Sequence, residues 1–104
     1  MSKLALLLGA HNHQPVGNFD FVLHDATERS YAPFLELLER HDQIKYTLHF
    51  TGFLLDWLVK THPDLIDQLR RLVDRGQVEL FGGGYYEPIV PILPPQDQLG
   101  QVVA

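Results

Sequence analysis

The imidazoles of His11 and His13 and the carboxamide of Gln14 stand together in His11-Asn12-His13-Gln14-Pro15, directly after the apolar run Leu4 to Ala10. On an extended segment, side chains two residues apart share a face with Cα atoms roughly 6.5 Å apart, so both rings can reach one ligand. Three readings suit the set. Neutral imidazoles and the Gln14 amide can exchange hydrogen bonds with sugar or polyol hydroxyls, which donate and accept alike. The pair can instead offer two imidazole ligands to Zn²⁺ and activate water, given a third ligand from later in the chain. His49 and Glu87 are available for that role, although neither stands in a recognisable metal spacing. Or the histidines satisfy local backbone groups in a loop, since a lone His-x-His is a weak motif.

A second group follows much later, in Gly82-Gly83-Gly84-Tyr85-Tyr86-Glu87-Pro88. The glycine run opens backbone conformations closed to other residues and leaves room for a ligand to approach. Glu87 can accept hydrogen bonds from sugar hydroxyls while Tyr85 or Tyr86 offers an aromatic face to a pyranose ring. The plainer reading is a flexible turn with a solvated carboxylate and two half-buried tyrosines.

These groups need elements to position them. Leu4-Ala5-Leu6-Leu7-Leu8 is apolar on both alternations, which predicts a strand covered on both faces, as in parallel α/β sheets, closed by Pro15. A loop from Gln14 to about Thr27 follows, its Phe19 and Phe21 able to cover a site. A helix is expected from about Ser30 to His41, with Tyr31, Phe34, Leu35 and Leu38 on one face and Ser30 as N-cap, so that Pro33 falls in the first turn. Lys45 to Phe50 alternates as a second strand. Helices are expected from Phe53 to Lys60 and from a capping-box-like Thr61-His62-Pro63-Asp64, the latter with the stripe Leu65, Ile66, Leu69, Leu72, Val73 and with Gly76 just past its end. Gln77 to Phe81 reads as a third strand. The proline-rich stretch Ile89 to Pro95 leads to a short helix marked by Leu99, Val102 and Val103. Strands alternating with helices predict a parallel sheet with right-handed crossovers. In such architectures ligands collect beyond the carboxyl ends of the strands, where both motifs fall.

The remaining polar and aromatic residues read as structural. Trp57 falls four residues after Phe53 on a helical pattern, a core spacing. His49 faces away from Leu48 and Phe50, as a hydrogen-bonded interior histidine would. His24, His41 and His62 read as surface or capping residues, and Glu79 lies within its strand rather than at the strand end.

With 104 residues, 45% of them hydrophobic, residues 1–104 form one domain or part of one. Thirteen acidic against eight basic residues give a net charge of −5. No Lys/Arg cluster is present to neutralise phosphates, so nucleic acid is not an expected partner. No stretch approaches the ~20 apolar residues of a membrane span. Met1-Ser2-Lys3-Leu4 opens like a signal peptide, but His11 interrupts the apolar run too early for a secretory core. The chain has no cysteine, hence no disulfide and no thiolate metal site, which leans toward a cytoplasmic setting.

Together, His11-Asn12-His13-Gln14-Pro15 and Gly84-Tyr85-Tyr86-Glu87-Pro88 resemble the first two signature regions of the family-57 glycoside hydrolases, which include α-amylases, amylopullulanases, branching enzymes and 4-α-glucanotransferases. Val16-Gly17-Asn18-Phe19-Asp20-Phe21 is similar to the stretch following the first signature in amylase- and glucanotransferase-type members, so the resemblance covers nearly the whole chain. It implies the N-terminal part of an incomplete (β/α)7 barrel, about three parallel strands with flanking helices. It also implies retaining chemistry on α-glucosidic bonds, by a glutamate nucleophile and an aspartate acid/base roughly 5 Å apart. Those two regions follow the Tyr-Glu-Pro signature further along than Ala104. The resemblance therefore carries substrate-binding roles to His11, His13, Gln14 and Glu87, and neither catalytic carboxylate, metal nor cofactor. The expected partner is an α-glucan or maltooligosaccharide. Open strand edges predict self-association or pairing with the rest of a barrel. A non-catalytic carbohydrate-binding module would make the same sugar contacts without turnover.

Overall fold

The computed structural model describes residues 3–103; Met1 and Ser2 of the signal-like opening, and Ala104 at the end of the last apolar stripe, lie outside them. Three parallel strands form one sheet in the order β1-β2-β3. They are β1 (Gly9–Asn12), β2 (Tyr46–Phe50) and β3 (Val78–Phe81). Five α-helices flank them: α1 (Asp20–Ala26), α2 (Ala32–Arg40), α3 (Gly52–Thr61), α4 (Pro63–Asp74) and α5 (Pro95–Val103). The alternation of strand and helix read from the sequence is thus present as an α/β layer.

The core lies between one sheet face and helices α1 to α4. Leu48, Phe50 and Val78 point into it from the strands and meet Leu23, Leu35, Leu38, Leu54, Leu58, Leu69 and Leu72. Leu48 on the central strand is fully buried. In α4 the stripe Leu65, Ile66, Leu69 and Leu72 is buried, while Val73 sits at its margin. Gly76 adopts φ +74°, the left-handed conformation needed just past the helix end, and turns the chain directly into β3. The buried Gln77 side chain then satisfies the carbonyls of Leu38 and His41, at 2.6 and 2.9 Å, and ties the C-terminal end of α2 to the start of β3.

Three expectations are corrected. The apolar run Leu4 to Leu8 is not strand: Leu4 and Leu7 are 97% and 93% exposed. Pairing starts only where Thr47 N–H donates to the Leu8 carbonyl at 2.9 Å, and β1 lies further along, so that His11 is inside the strand rather than beyond it. Leu4 to Leu8 are all exposed, so the hydrophobicity of the run alone does not make it a strand.

The segment from Asp20 to Arg40 is continuously helical, so Ser30 caps nothing and the expected loop ends at Phe19. Between α1 and α2, Thr27–Tyr31 widens to a π-type turn in which the Ala32 N–H reaches back to the Thr27 carbonyl. Pro33 accounts for the widening, because it has no N–H for the carbonyl four residues earlier and its ring would collide with that carbonyl. Finally, the capping box does not form. Thr61 belongs to the end of α3 and its hydroxyl bonds back to the Trp57 carbonyl at 2.7 Å, leaving His62 to begin α4.

Trp57 is half-buried against the core, as its spacing suggests. His24 and His62 are not simply surface residues: His24 Nδ1 lies 2.9 Å from His62 Nε2, and the Trp57 ring meets His24 edge-on at 4.8 Å. Burial, and then the neighbouring His24, hold the His62 imidazole below its ordinary pKa. Prediction: Leu48→Ala lowers the unfolding free energy of the chain by about 3 kcal/mol in urea titration, whereas Leu7→Ala changes it by less than ~0.5 kcal/mol.

Candidate functional site

The side of the sheet opposite the helices carries the candidate residues, and strand register brings them together. His11 is paired with His49 and His49 with Phe81, so these side chains form one row across all three strands near their carboxyl ends. The His11 and His49 rings lie edge to edge and nearly coplanar, with centroids 4.8 Å apart and planes 10° apart, and the His13 ring is near-parallel to His11 at 6.2 Å. His11 and His13 thus share a face, as their spacing requires. Thr47 and Glu79 lie one pleat below this row, which leaves Glu79 short of the rim.

Glu87 arrives from the segment after β3. Its carboxylate contacts His11 Nε2 through Oε1 and lies 2.8 Å from His13 Nδ1 through Oε2. The His13 approach is poorly aligned for a hydrogen bond, so that buried nitrogen is held by electrostatics more than by a well-formed N–H···O contact. His11 Nδ1 in turn meets His49 Nδ1 at 2.6 Å. Burial lowers the His49 pKa, helped by His11 and His13 and opposed by Glu87, so His49 favours its neutral form. Among the described residues, no set of three histidine, aspartate or glutamate side chains is arranged to hold one metal ion.

An open cleft of about 540 Å³ lies over this row, walled by His11, His49, Phe81, Glu87 and the Gly82-Gly83-Gly84 backbone. The glycines act by being small: a Cβ on Gly83 would come 2.8 Å from His49 Nε2. Glu87 itself has φ +58°, a left-handed conformation uncommon for a residue with a side chain, which must be held by its surroundings.

Tyr85 does the holding. Its hydroxyl donates to Asp56 on α3 at 2.5 Å, its carbonyl accepts from the Phe53 N–H at 3.3 Å, and its N–H donates to the Gln101 carbonyl at 3.1 Å. The ring lies flat on Gly52, where any Cβ would run into it. The Tyr85 phenol is pushed up to about 12, first by the hydrogen bond to Asp56, since losing that proton would set two negative charges side by side. Tyr85 is therefore an anchor, and Tyr86, 54% exposed, is the tyrosine with a face to offer.

Gln14 spends both ends of its carboxamide inside the chain, donating to the Tyr31 hydroxyl at 3.0 Å and accepting from Asn18 at 3.2 Å. The structure thus brings His11, His13 and Glu87 into mutual contact and places Gln14 behind them, fastening the segment after β1 to the helical layer. Sequence reasoning passed over Asp56 and Gly52, and treated His49 as an interior structural histidine or an available metal ligand rather than as a partner of His11. Alternation along β2 placed His49 on the open face but could not supply its neighbours, and nothing local marks Asp56 or Gly52.

The family model described as glycosyl hydrolase family 57 matches residues 7–103. The chain belongs to this family. It is 50% identical over 95 residues to alpha-amylase 1 of Dictyoglomus thermophilum, covering 91% of this chain and 14% of that protein. To the 4-alpha-glucanotransferase of Thermococcus litoralis it is 44% identical over 102 residues, covering 98% of this chain and 16% of the relative. The crystal structure of 4-alpha-glucanotransferase from that organism matches with a TM-score of 0.89 at 46% identity, over 92% of this chain and 15% of that one. The three parallel strands and flanking helices correspond to the N-terminal part of that enzyme. The chain therefore spans about one-seventh of the length of these family-57 proteins.

Prediction: Asp56→Asn brings the Tyr85 phenol pKa down from about 12 toward the ordinary tyrosine value near ~10, read as a shift in the ultraviolet absorbance titration. An unmoved tyrosine titration would show that Asp56 is not the group that anchors Tyr85.

Proposed function

We propose that this chain is the N-terminal segment of a retaining α-glucan-acting enzyme, contributing glucose-contacting residues and lacking the catalytic carboxylate pair. The observation that carries the reading is the meeting of His11 and His13 with Glu87, far along the chain from them, beside an open cleft that His11 and Glu87 line. Imidazole and carboxylate groups so placed can bracket neighbouring hydroxyls of a sugar. Gln14 belongs to this set through its hold on the backbone that presents His13.

The relatives' names, alpha-amylase and 4-alpha-glucanotransferase, support an α-glucan or maltooligosaccharide as ligand. Hydrolysis or transfer with retention needs two carboxyl groups flanking the scissile bond. Glu87 is the one carboxylate lining the cleft among the described residues, and its contacts to two imidazoles suit binding rather than attack. The reading calls for no metal or cofactor, involves no nucleic acid, and goes with a cytoplasmic setting. No helix among the described residues is long and apolar enough to cross a membrane.

The same reading explains the surface. β1 and β3 are both open edges of the sheet. Phe81, Ile89, Ile92, Leu99 and Val102 are exposed along the side that begins with β3 and ends with α5. These apolar groups and unpaired strand edges favour association with further barrel strands, in the same chain or another, or with a second copy.

Prediction: the 104-residue chain binds maltooligosaccharides in calorimetric titration and releases no reducing sugar from them. Glu87→Gln weakens that binding by roughly tenfold or more, the loss expected for a charged hydrogen-bond acceptor. Turnover by the wild-type chain that disappears in Glu87→Gln would refute the division of labour proposed here.

A further inference from the structure

Counting protons along His49, His11 and Glu87 leaves one arrangement for neutral imidazoles. The Glu87 carboxylate can only accept, so the His11 Nε2 facing its Oε1 carries a hydrogen. A neutral imidazole has a single N–H, which makes His11 Nδ1 a bare acceptor. That nitrogen lies 2.6 Å from His49 Nδ1, a contact that is a hydrogen bond only if His49 holds its hydrogen on Nδ1. His49 Nε2 is then left with a lone pair. Among the described residues, the contact to His11 is the one hydrogen bond of the His49 ring. Both His49 and Gly83 line the cleft, and the missing side chain of Gly83 is what leaves Nε2 uncovered.

We infer that His49 is a positioning and ligand-contacting residue of this site: its Nδ1–H turns His11 into a donor toward Glu87, and its Nε2 accepts a hydrogen bond from a ligand hydroxyl. The first role stands on the geometry of the three side chains alone; the second rests on the saccharide reading above. The two roles reinforce each other, because the tautomer that orients His11 is the one that frees Nε2 as an acceptor. The lowered pKa of His49 keeps the ring in the neutral form both roles require. A cationic His11 would reverse the arrangement, making His11 the donor to His49 and leaving His49 Nε2 with the hydrogen.

The test uses the 104-residue chain with ¹⁵N-labelled histidine at about pH 8, above the ordinary histidine range, where long-range proton–nitrogen spectra distinguish the neutral tautomers. His49 is expected as the Nδ1–H form and His11 as the Nε2–H form. His49→Asn retains an N–H close to the Nδ1 position and should leave His11 in its Nε2–H form. His49→Leu removes it and should release that preference; if the leucine variant does not fold, the wild-type and asparagine spectra decide. Added maltotetraose should move the His49 Nε2 resonance. Gly83→Ala, whose Cβ would stand 2.8 Å from Nε2 and so crowd that atom, should weaken maltotetraose binding about tenfold, and the tautomer spectra of this variant show whether His49 still bonds His11. An Nε2–H form of His49 in the wild-type chain overturns the positioning role, and unchanged affinity in Gly83→Ala overturns the contact. Absence of maltotetraose binding to the wild-type chain would end the contact together with the saccharide reading, while the spectra still settle the tautomers.

Discussion

Parallel pairing of β2 with a strand on each side sets the geometry of the whole site. The register that opposes His11 to His49 and His49 to Phe81 aligns three side chains from three separate segments. It also sends the backbone after β3 out beside them, where Glu87 can close on the two imidazoles of the first segment. A slip of one residue in either pairing would turn the facing side chains to the opposite side of the sheet and bury imidazoles among leucines. Register is held against such a slip by the core face, since Leu48 and Phe50 are buried on the side that His49 avoids.

Much of the chain outside the site serves to hold the segment bearing Glu87. A left-handed glutamate, three glycines and a proline make a segment with little conformational preference of its own. Its definition comes from Tyr85, gripped at its hydroxyl by Asp56, at its ring by the bare surface of Gly52, and at its backbone by α3 and α5. The rigid element here is α3, which packs Leu54 and Leu58 into the core and presents Gly52 and Asp56 outward. Core packing is thereby passed on to a surface carboxylate through one aromatic ring. Glu87 is thus positioned by tertiary contacts rather than by a local turn preference.

Several polar groups at the rim are satisfied by one another or by the chain. His11 uses both nitrogens, Gln14 both ends of its amide, and Asn12 donates to the His49 carbonyl at 3.1 Å. Such a network fixes side-chain directions before any ligand arrives, which reduces the ordering a ligand must impose. It also separates residues that touch the cleft, His11, His49 and Glu87, from those that brace it, Gln14, Asn12 and Tyr85.

The order of elements was legible in the sequence because each depends on local periodicity: alternation in Lys45 to Phe50, the helical stripe of Leu65, Ile66, Leu69 and Leu72, and Gly76 at a helix end whose φ demands it. The paired motifs around His11 and Glu87 were legible as well, since short signatures in a fixed order carry family membership. Other features depend on partners distant along the chain. Whether Leu4 to Leu8 is strand depends on what faces it, whether Thr61 caps a helix depends on where α3 ends, and whether Gln14 meets a ligand depends on Tyr31 and Asn18. His49 belongs to this second kind: its residue type and its face follow from the sequence. Only the sheet register, which is a property of three strands at once, decided that it stands against His11 and under Gly83.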